Sequence, residues 1–146
     1  MKLNEGEVYP FQVLKKLTMP EEGDFLQLRH SSSGRRILLS AEHYDKYGIE
    51  PGTTIQCKVD RVNCTGKVFL EPLHPLYTEG NTYSFDIIEV GNNEEQPGMM
   101  LVKVKDLLGN IIVVTCPEKV LTTSNKITLK VESIRKGTPT LSCGFN

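Results

Sequence analysis

The chain lacks a dominant charge. Its 17 lysine and arginine residues meet 18 aspartate and glutamate residues, for a formal net charge of −1. The halves balance separately: residues 1–74 carry 10 basic and 10 acidic side chains, and residues 75–146 carry 7 and 8. No global field draws such a protein to a polyanion or an anionic lipid surface, so any polyanion site must be a local patch. Long apolar runs are lacking too. No segment could span a bilayer, and Met1-Lys2-Leu3-Asn4-Glu5-Gly6-Glu7 has no apolar stretch of signal-peptide length. A cytoplasmic protein without membrane contact is expected.

Catalytic signatures are missing. There is no Gly-Lys-Ser/Thr phosphate loop, no Gly-x-Ser-x-Gly elbow, no His-Glu-x-x-His helix and no closely paired cysteines. The expectation is a non-enzymatic protein without cofactor or metal. Cys57, Cys64, Cys116 and Cys143 are scattered through strand-like segments, the pattern of free buried thiols rather than a disulfide framework. His30, His43 and His74 show no partner pattern and are assigned to surface or turn positions. Only Ser40 to Gly48 reads as helix, with Ser40 as its cap and Gly48 as its end.

What the chain does have is strand pattern, and it has it twice. Thr53 to Pro72 is dense in β-branched residues at alternating positions and carries a turn at Asn63 to Gly66. The same shape returns from Lys126 to Cys143, where Ile127, Lys130, Val131 and Glu132 repeat Ile55, Lys58, Val59 and Asp60 at an offset of 72. Tyr83, Phe85 and Ile87 repeat Tyr9, Phe11 and Val13 at an offset of 74. The first copy reads as strands over 8–17, 25–30 and 36–40, the short helix, and the 53–72 hairpin. The second reads as a strand at Tyr83, then Met100 to Lys105, a hairpin turn at Gly109-Asn110, Ile111 to Thr115, Pro117 to Thr123 in place of the helix, and the closing hairpin. Two domains are expected, 1–74 and 75–146, joined by a short segment stiffened by Pro72 and Pro75.

Strand, strand, strand, short helix, strand, strand is the order of the five-stranded OB barrel. The fold class expected is all-β: two tandem OB-like Greek-key barrels, each with a short helix between strands three and four. Ser40 through Tyr47-Gly48, Pro51-Gly52, Cys57-Lys58-Val59 and Gly66-Lys67-Val68 to Leu70 resemble the second half of S1-type RNA-binding OB domains. The resemblance covers about half of each copy. Leu26-Gln27-Leu28 and Val102-Lys103-Val104 lack the Gly-Phe-Val type signature that such domains carry on strands two and three.

Alternation also assigns faces. Phe11 and Phe85 belong to the core. With Leu26, Leu28, Ile37 and Leu39 inward, Phe25, Gln27, Arg29 and Arg36 point outward on the face that OB domains use for ligands. An exposed ring beside cations suits a single-stranded nucleic acid, because the ring stacks on a base and guanidinium groups pair with phosphates. Lys15, Lys16 and Arg35 are expected to extend that patch, and Lys103 and Lys105 to continue it in the second copy. The function expected is binding of single-stranded RNA, or DNA, without catalysis. The alternative is a protein-binding adaptor, suggested by the near-zero charge and the missing aromatic signature.

Overall fold

Alternating apolar side chains pleat more than half of the chain into strands, ten among the described residues. The computed structural model describes residues 2–121 and 124–143. Two compact units result, Met1–Pro75 and Leu76–Asn146. The first holds β1 (Val8–Met19), β2 (Gly23–His30), β3 (Arg36–Ser40), β4 (Thr54–Val62) and β5 (Val68–Pro72) in one antiparallel sheet ordered β3-β2-β1-β4-β5. The second holds β6 (Thr82–Asn92), β7 (Met99–Lys105), β8 (Ile111–Pro117), β9 (Lys126–Arg135) and β10 (Thr138–Ser142), ordered β10-β9-β6-β7-β8. The protein is all-β, with two five-stranded sheets that curl toward barrels. In each unit the edge strands, β3 and β5 or β8 and β10, come within 8 Å between Cα atoms.

The long first strand makes the curl. β1 pairs with β4 through Val8–Gln12 and with β2 through Phe11–Met19, and a bulge at Leu14 lets it bend between them. Bulges increase local twist and bend a strand, which is what wrapping a sheet requires. β6 repeats this with a bulge at Ile88, 74 residues on. The β4–β5 bulge at Asp60 has its counterpart at Glu132. Even single hydrogen bonds recur. The Asn4 N–H donates to Tyr9 Oη at 3.0 Å, and the Thr78 N–H to Tyr83 Oη at 2.8 Å. The Val62 N–H donates to Glu5 Oε2, and the Ile134 N–H to Glu79 Oε2.

Each unit encloses its own core. Phe11, Val13, Leu26, Leu28, Cys57 and Val59 fill the first. Phe85, Val102, Val104, Cys116, Leu129 and Val131 fill the second. The phenylalanines are 0% and 2% exposed, while Tyr9 and Tyr83 stay half-buried with hydroxyls held by backbone N–H groups. At the β4–β5 turn, Asn63 Oδ1 accepts from the N–H groups of Thr65 and Lys67. Gly66 supplies the positive φ of 85° that closes the turn.

The helix expected over Ser40–Gly48 is absent. Ser40 is the last residue of β3, opposite Phe25, and a single 3-10 turn forms at Asp45–Tyr47. Nine residues are too few to hold an α-helix on their own hydrogen bonds. Tertiary contact decides instead: Tyr44 is drawn inside and donates its hydroxyl to Glu71 Oε1 at 2.9 Å. In the second unit the matching segment holds a 3-10 turn at Glu118–Val120. Of the stretch expected there, Thr122 and Thr123 lie outside the described residues. Two histidines and one cysteine also differ from expectation. His30 and His74 are buried, His30 because it shares the inward parity of Leu26 and Leu28, and Cys64 is exposed on its turn.

Phe11→Ala and Phe85→Ala should each cost about 3–5 kcal/mol, because neither cage can collapse fully into the space left. Urea denaturation monitored unit by unit, by NMR cross-peaks from each, checks that each loss falls on its own core. A loss below about 1 kcal/mol at either site would contradict the packing described.

Candidate nucleic-acid interface

Cross-strand register assembles one outward face in the first unit. Gln12, Arg29 and Arg36 form one row across β1, β2 and β3; Lys15, Gln27 and Leu38 form the next; Leu17, Phe25 and Ser40 form the third. Directly opposed residues on neighbouring strands share a face. These nine described residues include three cations and no carboxylate. Phe25 is half-buried, so part of its ring is open to solvent, with Leu17 and Ser40 as its cross-strand neighbours. Arg29 is anchored: Gln12 Oε1 accepts from its Nε at 2.8 Å and also from its Nη2. A guanidinium held in this way has less freedom to lose when it meets an anion.

Four of the expected cations lie in other settings. Lys16 stands opposite Leu26, on the inward parity of β1 beyond the bulge, and its Nζ sits 3.6 Å from Glu50 Oε1. Arg35 lies in the turn before β3 and donates from Nη2 to the Gly66 carbonyl at 2.9 Å, tying the β2–β3 tip to the β4–β5 turn. Lys103 and Lys105 do point outward from β7, but each has a carboxylate residue opposite. Glu89 is the register partner of Lys103, with Nζ to Oε2 at 3.3 Å. Asp86 is the partner of Lys105 and accepts from Lys126 Nζ at 2.8 Å. β8 completes that face with Ile111, Val113 and Thr115. Leu101, Ile111 and Val113 are 39%, 59% and 56% exposed. The equivalent faces of the two units are thus cationic in one and charge-paired and apolar in the other.

One cluster escaped the sequence reading. Arg61 and Phe69 are register partners on β4 and β5, with the guanidinium carbon 4.4 Å from the ring centroid. Lys67 Nζ lies 5.1 Å from the same ring. The ring steadies two cations, each by about 0.5–1 kcal/mol at an exposed site, beside the turn that Arg35 reaches. The signal was present: a turn at Asn63 to Gly66 sets Arg61 against the strand that begins with Lys67, Val68 and Phe69.

A second cluster is buried. Tyr44, Tyr47 and His74 meet edge-to-face, with centroids 5.2 and 5.3 Å apart, beside Glu71 and Cys57. Burial first, and then the Glu71 carboxylate, raise the Tyr44 phenol well above its ordinary range. The same two causes push the Cys57 thiol up to about 12. Among the described residues no group of three or more His, Cys, Asp or Glu could hold a metal ion, and the tyrosines of the cluster pack into the first core.

Both shifted groups keep their protons longer in the folded chain than in the unfolded one. Their contribution to stability is complete below the unfolded pKa and is lost as pH rises toward the folded value. For Cys57 that window runs from the ordinary 9.0 to about 12. Urea denaturation at increasing pH should show the first unit weakening through this window. Tyr44→Phe should remove the phenol's share of the alkaline loss, while costing about 0.5–3 kcal/mol at neutral pH because a buried hydrogen bond to Glu71 is lost. An unchanged alkaline profile in Tyr44→Phe would contradict the assignment.

Compared with known proteins, the chain matches no family model and no curated protein sequence.

Proposed function

We propose that the first unit binds single-stranded nucleic acid, RNA in preference to DNA, on the outward face of β1–β3, without catalysis. The observation that carries this reading is the nine-residue face: Phe25 can stack a base, Lys15, Arg29 and Arg36 can meet phosphates, and no carboxylate opposes them. Arg61 and Lys67, with Arg35, offer a continuation beyond the β2–β3 tip. The architecture favours the same reading. The order β3-β2-β1-β4-β5, a bent first strand shared by two neighbours and edge strands that approach one another match an OB-like Greek-key barrel. On this proposal each unit is such a barrel, related to the S1 type, and the protein is cytoplasmic.

Titrating a fluorescent single-stranded RNA with the full chain at several salt concentrations tests it. Three phosphate contacts predict a log–log slope of about −2, since each contributes about −0.7 on single strands. Arg36→Ala should make that slope shallower by about 0.7, and Lys16→Ala should leave it unchanged. Phe25→Ala should weaken binding by about 1–3 kcal/mol, roughly 5- to 150-fold. Undetectable binding at low salt, or affinity indifferent to Phe25→Ala, sinks the proposal.

A protein partner is the second reading, and the second unit favours it. Leu101, Ile111 and Val113 share an open face, Leu107 at the β7–β8 turn is 72% exposed, and the neighbouring lysines are matched by acids. Apolar patches of this kind, rimmed by charge, mark docking surfaces. A partner that survives nuclease treatment and is released by Val113→Asp supports this role. Retention of that partner by Val113→Asp argues against it.

A further inference from the structure

Neither reading uses the two thiols that lie at the seam of the second unit. Cys116 is fully buried near the end of β8. Cys143 directly follows Ser142, the last residue of β10, and is partly buried against the same core. β8 and β10 are the edge strands of their sheet and approach within 8 Å between Cα atoms, so these residues lie at the seam where the barrel closes without a continuous ladder. Cys143 packs against the buried cluster that includes Cys116. The Cys143 thiol in turn donates to the Thr115 carbonyl at 3.3 Å.

The register shows that this contact is particular to one unit. Val102 and Val114 pair as Leu26 and Leu39 do, and two residues further on Cys116 answers to Ala41. Val131 and Leu141 pair as Val59 and Leu70 do, and two further on Cys143 answers to Pro72. The first unit closes with an alanine and a proline at these places, so the architecture does not require a thiol at either.

We propose that Cys116 and Cys143 form a reversible dithiol site, oxidised by hydrogen peroxide to an intramolecular disulfide that clamps β10 to β8. The more accessible Cys143 reacts first. Its thiolate sulfur attacks one peroxide oxygen, an S–O bond forms as the O–O bond breaks, and the departing hydroxide takes up the proton that the thiol gave. Water leaves, and Cys143 carries a sulfenic acid. The Cys116 sulfur then displaces that hydroxyl: an S–S bond forms, the S–O bond breaks, and the Cys116 proton joins the departing hydroxide as a second water. The pair of thiols loses two electrons and the peroxide gains them. Burial, followed by the contact with Cys143, pushes the Cys116 thiol up to about 12, which suits the resolving role rather than the attacking one. Cys143 lies one residue past the last rung of β10.

Full-length protein carrying Cys64→Ser, which removes the exposed thiol, is treated with hydrogen peroxide and digested without reduction. The expected product has lost two hydrogen atoms in intact mass and yields a peptide pair linked through residues 116 and 143. Its thermal midpoint should rise over that of the reduced protein, fall back on treatment with dithiothreitol, and show no such shift when Cys143→Ser is added. Oxygen added at Cys143 with Cys116 still open to alkylation after unfolding, a disulfide through any other pair, or no reaction overturns the proposal. A linked product with an unshifted midpoint overturns the clamp.

Discussion

Filling the inside of a narrow barrel decides what its outside displays. Once Phe11, Val13, Leu26 and Leu28 are sealed within the first unit, the residues between them have no choice of face, because successive side chains of a strand point oppositely. The bulge at Leu14 is the one place where β1 changes that count against β2. It moves Lys15 into the row of Gln27 and sends Lys16 to the other side. A slip of one residue elsewhere would bury Phe25 and Arg29 and expose leucines, at a cost the core could not bear. The outward chemistry is therefore inherited from interior packing.

The two units show how far such inheritance leaves surfaces free. Their ladders agree from the tyrosine that receives a backbone N–H to the bulge in the closing hairpin. Their interiors agree in kind, with a phenylalanine and a ring of valines and leucines in each. Their outer faces do not: the places given to Arg29 and Gln27 in one unit hold Lys105 and Lys103, each opposed by an acid, in the other. Burial constrains the inward half of each strand, and the outward half is free to carry different chemistry.

Much of this was legible in the chain. Alternation over 8–17, 25–30 and 36–40 located the strands, and the offsets of 74 and 72 reappear as paired rungs, Tyr9 with Cys57 and Tyr83 with Leu129. Phe25, Arg29 and Arg36 could be placed outward because Leu26, Leu28 and Leu39 had to go in. Lys16 was misplaced because a bulge leaves no mark in composition; it is a local answer to curvature that only the closed sheet imposes. The Ser40–Gly48 helix failed for a similar reason. Cap and terminator residues were present, yet a buried contact between Tyr44 and Glu71, 27 residues apart, outweighed them. Arg35 and Gly66 likewise meet only because two hairpins end at the same side of the barrel.

The grip of Gln12 on Arg29 carries a directional consequence. With Nε and one terminal nitrogen committed to the same amide oxygen, the guanidinium cannot swing about its stem to follow an incoming group, and it offers its remaining edge along a single bearing. A cation on a loose tether greets an anion from any quarter, whereas this one admits approach along one line. The open ring of Phe25 lies four residues earlier on the same face of β2, so this one oriented edge and the ring stand at a set spacing along the strand.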